Sequence, residues 1–71
     1  MRKEKAMTFN EFIREWGVGQ MSEELTLPYD TVRKWAERNS IPAHTWHNVL
    51  AAAKRVGIKL TADDLVLMAA D

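Results

Sequence analysis

The sequence predicts an all-α fold: a compact bundle of about five short helices forming a single domain over residues 1–71. Apolar residues recur at helical spacing in segment after segment, and the strongest breakers, Gly17, Pro28, Pro42 and Gly57, fall between those segments. Nothing calls for a strand, since Ile58-Lys59-Leu60 is extended at most. A chain this short folds around at most one core and buries about 60% of the surface its unfolded form exposes. A 46% hydrophobic fraction with three tryptophans suits a packed globule rather than a disordered tail. There is no cysteine, so packing must supply the stability, alone or shared with a second subunit. No apolar run approaches the roughly 20 residues of a membrane span, and "MRKEKAM" is not followed by the apolar stretch of a signal peptide. A cytoplasmic protein with no membrane contact is the expectation.

The first helix is announced by "MTFNEFIREWG". Thr8 is placed to cap the first turn, Glu11 three residues on completes a capping box, and Met7 can pack on Phe12 as a hydrophobic staple. Phe9, Phe12, Ile13 and Trp16 then form one apolar stripe, and Gly17 ends the helix. "VGQMSEELTL" reads as a second, weakly hydrophobic helix with Met21 and Leu25 on one face, closed before Pro28 because a residue preceding proline is pushed out of helical geometry. Pro28 opens the third helix, where its missing N–H costs nothing, with Val32, Trp35 and Ala36 facing inward. Tyr29, Asp30, Arg33, Lys34, Glu37 and Arg38 are left facing out. "NSIP" interrupts, Pro42 opens the fourth helix, Trp46, Val49, Leu50 and Ala53 give its inner stripe, and Gly57 ends it. Thr61 caps "TADDLVLMAA", with Asp63 and Asp64 in the first turn, where the helix dipole favours negative charge, and with Leu65, Met68 and Ala69 along its stripe.

The net charge is zero, but its distribution is not even. Residues 6–30 hold Arg14 against Glu11, Glu15, Glu23, Glu24 and Asp30; residues 31–60 hold Arg33, Lys34, Arg38, Lys54, Arg55 and Lys59 against Glu37 alone. A basic stretch of this kind can steer a molecule toward a polyanion even when the total is neutral. Two short helices joined by a tight turn over about residues 18–38, the second with a polar and basic outer face, are what a helix-turn-helix needs.

The segment "LTLPYDTVRKWAERNSIPAHTWHNVLAAAKRVGIKLTADDL" resembles the lambda-repressor-like (Cro/C1-type) helix-turn-helix regulators of phages and bacteria. It is similar in particular to the carph-isopro domain subgroup, through Pro28, Thr31, Val32, Trp35, Arg38, Ile41, Pro42, Ala43, Trp46, Ala52, Ala53, Gly57, Ile58, Leu60, Thr61, Asp64 and Leu65. Two positions depart from that pattern: Thr26 stands where the family places a glycine, and Ser22 where it places a small alanine. The first predicts a strained or reshaped turn, because a non-glycine in left-handed geometry costs on the order of 1 kcal/mol. The resemblance implies a third helix that enters the major groove of double-stranded DNA, in a bacterial cell or a phage-infected host.

The helical wheel names the side chains that would do this. Tyr29, Asp30, Arg33 and Lys34 occupy the first two outward turns and are the candidate base contacts, with Arg33 and Lys34 foremost as donors to guanine O6 and N7. Asp30 can accept from a cytosine amino group or simply favour the helix N-terminus, and Tyr29 can touch a thymine methyl or a phosphate. Gln20, Arg38, Asn39, His44, Thr45 and His47 are the candidate phosphate contacts, with the starts of the second and fourth helices adding backbone N–H groups. Lys54, Arg55 and Lys59 read as helix-end cations and are not assigned to DNA; Glu23 and Glu24 read as a solvated face.

The C-terminal helix, about residues 61–70, carries more apolar surface than a small core uses. Leu65, Val66, Leu67 and Met68 are therefore the candidate dimer interface, which suits a homodimeric Cro-like repressor on a palindromic operator. Nothing points to an enzyme, to a cofactor or to a small-molecule ligand: there is no cysteine nucleophile and no glycine-rich phosphate loop. His44 and His47 lie three apart, a zinc-compatible spacing, but no Cys or further His completes a tetrahedral set, so no metal is expected. The competing reading is a protein-interaction module of the same fold, an antirepressor or phage-encoded inhibitor that does not act through DNA.

Overall fold

The structure, a computed structural model, describes residues 7–70. The first helix, α1 (Phe9–Trp16), begins at the predicted capping box: Glu11 N–H donates to Thr8 Oγ1 at 3.1 Å, and Thr8 N–H donates back to Glu11 Oε1 at 3.1 Å. Two donors that the first turn would otherwise orphan are thus satisfied by side chains. Gly17, at φ 100°, ends α1 and precedes α2 (Val18–Leu25), so one residue turns the chain between two helices.

Three of the helices that follow end the same way, on a residue in left-handed geometry. After α2 it is Thr26 (φ 57°), after α3 (Tyr29–Arg38) it is Asn39 (φ 54°), and after α4 (Trp46–Arg55) it is Gly57 (φ 84°). In each case the next amide reaches back to the helix: Leu27 N–H to Ser22 O at 2.9 Å, Ser40 N–H to Trp35 O at 3.0 Å, Ile58 N–H to Ala53 O at 2.8 Å. These are Schellman closures, which satisfy terminal carbonyls and send the chain back across the bundle.

Two boundaries differ from the sequence expectation. Pro28, with extended geometry (ψ 144°), precedes the first helical residue instead of opening α3 as its first turn. Pro42 leads into a short 3₁₀ turn, Ala43–Thr45, and α4 starts only at Trp46. The last helix, α5 (Ala62–Ala70), is capped by Thr61, whose Oγ1 accepts from Asp64 N–H at 3.2 Å while Asp64 Oδ2 accepts from Thr61 N–H at 3.0 Å.

The core is a single cluster. Phe9, Phe12, Ile13 and Trp16 of α1 meet Val32, Trp35 and Ala36 of α3, with Met21 from α2, Val49, Ala52 and Ala53 from α4, and Ile41 from the connecting loop. Phe12 and Trp16 pack edge to face at 5.7 Å, and Trp46, at the rim beside Phe9, donates its indole N–H to Ile41 O at 2.9 Å. Leu65 and Met68 complete this core from α5, at 0% and 5% exposure. Ala69, expected on the same stripe, is exposed. Ser22 is buried without cost, because its hydroxyl donates to Gly19 O at 2.8 Å. No strand occurs among the described residues, and none of their helices is long and apolar enough to cross a membrane.

Candidate nucleic-acid interface

The sequence positions α3 by packing one side, by a tight turn before its start and by a tie from α1 to its last turn. Val32, Trp35 and Ala36 bury against α1 and α2, which turns Tyr29, Asp30, Arg33, Lys34, Glu37 and Arg38 to the outside. At its start, the left-handed Thr26 and the fixed φ of Pro28 reverse the chain after α2, and the Tyr29 ring lies over Gly19, where an added Cβ would sit 3.8 Å from Cε2. At its end, Asn10 of α1 donates through Nδ2 to Ala36 O at 2.8 Å, and Asn10 N–H donates to Asn39 Oδ1 at 2.8 Å. Arg55 performs a similar task for α2, donating through Nη2 to Glu24 O at 2.8 Å and to Glu24 Oε1 at 3.1 Å. Arg55 and Glu24, separate surface groups by their places in the sequence, thus join two helix C-termini.

The outward face of α3 is less basic than a tally along the chain suggests. Arg33 donates from Nε to Asp30 Oδ1 at 3.1 Å and from Nη2 to the same oxygen at 2.5 Å, and its Nη1 pairs with Glu37 Oε2. Lys34 Nζ lies 3.6 Å from Asp30 Oδ2. The hydrogen bond from Arg33, then its charge, and to a lesser degree Lys34 hold the Asp30 carboxyl below the usual aspartate range, and Arg33 is pushed further up in turn. The signal was present in the spacing: Asp30, Arg33, Lys34 and Glu37 stand three or four apart and share one face. All the same, both cations stay accessible, with 42% of the Arg33 side chain and 54% of the Lys34 side chain exposed.

Among the other candidate contacts, Gln20 is exposed in the first turn of α2, which no side chain caps, and Arg38 is exposed in the last turn of α3. Asn39 is exposed, but its oxygen is taken by Asn10, leaving Nδ2 as its donor. His44 and His47 are exposed on the 3₁₀ turn and α4. Thr45 corrects the expectation: its hydroxyl donates to Pro42 O at 2.7 Å and its N–H to the same carbonyl at 3.0 Å, so both of its donors are turned inward. No hydrogen bond or ion pair links His44, Thr45 or His47 to the Asp30–Arg33–Lys34 group among the described residues. Nor do three His, Asp or Glu side chains gather there in a metal-holding arrangement.

The candidate dimer face divides in two. Leu65 and Met68 are core residues of the chain itself and do not form an outer surface, because four consecutive apolar residues on a helix cannot all face one way. Val66 and Leu67 point outward at 52% and 56% exposure. Leu67 borders a groove of about 350 Å³ between α1 and α5, lined by Met7, Phe12, Trp16, Leu60 and Met68 and edged by Glu15, Lys59 and Asp64. Compared with family models, curated proteins and solved structures, the chain matches none of them.

Proposed function

We propose that the protein is a sequence-specific regulator that binds double-stranded DNA, with α2 and α3 acting as a helix-turn-helix of the lambda-repressor-like kind. The observation that carries this reading is the split character of α3: Val32, Trp35 and Ala36 lock it to the bundle, while its first two outward turns present Tyr29, Asp30, Arg33 and Lys34 to solvent. A helix held in this way can enter a major groove about 12 Å wide as a rigid body. Arg33 and Lys34 then donate to guanine, and Gln20, Arg38, the Asn39 amide, His44 and His47 supply flanking phosphate contacts that fix register.

A module this small makes few contacts, so the reading includes a homodimer acting as a Cro-like repressor on half-sites about one helical turn apart. Its interface is the groove between α1 and α5, with a second copy of the same chain as occupant. A twofold contact places like residues opposite unlike ones, and this edge carries both signs: Lys59 of one copy can meet Glu15 or Asp64 of the other while the two Leu67 side chains fill the grooves.

Selection of bound duplexes from a random pool tests the reading directly. On the selected sequence, Arg33→Ala or Lys34→Ala is expected to cost about 1–3 kcal/mol of discrimination each. If both leave affinity and preference intact, α3 is not the reading element. A second reading, a protein-interaction module, is favoured by the apolar groove and by the ion-paired outer face of α3. Salt separates the two, because phosphate contacts weaken steeply as salt rises and an apolar interface does not.

A further inference from the structure

We infer that Glu37, with Asp30, is a specificity determinant of α3: the two carboxylates hold Arg33 in a clamp that discourages phosphate and leaves guanine as its preferred partner. The inference rests on the DNA reading above and concerns what Arg33 selects once a duplex is near. The geometry supplies both halves of the device. Asp30 Oδ1 takes the Nε and Nη2 side of the guanidinium, which fixes its plane, and Glu37 Oε2 takes Nη1 at the other terminal nitrogen. Both carboxylates project from the same outward face, 60% and 59% exposed, so any group that approaches Arg33 approaches them as well.

The two DNA partners available to an arginine differ in charge. A phosphate is an anion and is drawn by net positive charge without regard to sequence. Beside Asp30 and Glu37 it meets two carboxylates that offset the charges of Arg33 and Lys34, and the attraction is weakened. A guanine edge is neutral and offers O6 and N7 as directional acceptors, which need N–H groups more than net charge. A guanidinium has five N–H groups, so it can turn its terminal pair to guanine while Asp30 keeps the Nε side. The clamp thus penalises backbone binding more than base reading, and specificity is a difference between those two affinities. Lys34 shares Asp30 more loosely, at 3.6 Å, so the clamp constrains it less than it constrains Arg33.

The test compares the unmodified protein with Glu37→Gln, which preserves size and removes the charge, on the selected duplex and on a scrambled one across a salt series. Asp63→Asn, on the exposed first turn of α5, makes the same change in net charge far along the chain. For Glu37→Gln the scrambled duplex is expected to bind about fivefold more tightly near physiological salt, with a log–log salt slope steeper by about 0.9, the signature of one phosphate gained. The ratio of selected to scrambled affinity falls accordingly, and Asp63→Asn leaves it unchanged. The inference is overturned if Glu37→Gln leaves the scrambled affinity and the slope as they were, or if Asp63→Asn reproduces its effect, while the unmodified protein still prefers its selected sequence. An unmodified protein that binds neither duplex overturns the DNA reading itself, and the clamp with it.

Discussion

α3 and α5 are helices of ten and nine residues that each bury one stripe and show the other to solvent, yet those outer surfaces have little in common. On α3 the exposed positions carry Asp30, Arg33, Lys34, Glu37 and Arg38, several of them joined in ion pairs; on α5 they include Val66 and Leu67. The ends differ too. α3 starts without a side-chain cap, after a left-handed Thr26 and an extended Pro28, whereas α5 starts on the reciprocal Thr61–Asp64 cap. One outer face is charged and internally ion-paired, and the other is apolar and lies beside a groove.

The sharpest way to break this contrast lies within α5. Leu65→Ala is expected to destabilise the fold by about 2–5 kcal/mol, since it empties a fully buried site, while Leu67→Ala stays within about 0.5 kcal/mol of the parent in the monomer. Urea denaturation at low protein concentration reads both. Sedimentation at micromolar concentration then shows dimer for the parent and monomer for Leu67→Ala; a parent that is monomeric free and on DNA removes the dimer from the proposal. Next in size, Thr61→Ala should cost about 1 kcal/mol by deleting the cap of α5, read in the same titration.

For α3 the corresponding change is a gain. Thr26→Gly relieves a left-handed threonine and should stabilise the protein by up to about 1 kcal/mol, visible as a higher Tm. The smallest effect concerns acid. The Asp30 carboxyl is held below its usual range in the folded chain, so the unfolded chain takes up the proton first as pH falls. Its contribution is present above about pH 4 and fades as pH drops through the lower folded value. Asp30→Asn should therefore lower stability slightly at neutral pH, leave it unchanged at low pH, and so flatten the acid limb of a stability–pH curve.

Local rules made much of the bundle legible. Thr8 and Glu11 announce the start of α1, the stripes of α1 and α3 name most of the core, and a threonine at position 26, where the resemblance places glycine, marks the left-handed turn. What stayed hidden needed three dimensions. "LVLM" does not say which two of its four residues face in, and only packing against α1 and α4 settles on Leu65 and Met68. Asn10 and Asn39 lie 29 apart, and Arg55 and Glu24 lie 31 apart, so no local pattern pairs them. The pairing of Arg33 was a matter of counting: charges summed along a chain lose the three- and four-residue neighbours that cancel them on a helix.

The tie between Asn10 and the last turn of α3 has a dynamic consequence. One end of α3 is pinned by hydrogen bonds to a helix formed early in the chain, while the other depends on a strained turn and an uncapped first turn. The amides of Thr31 and Val32, which share Pro28 O as acceptor, should therefore exchange faster than those near Ala36, so that local opening of α3 begins at its leading turn while its heel stays closed.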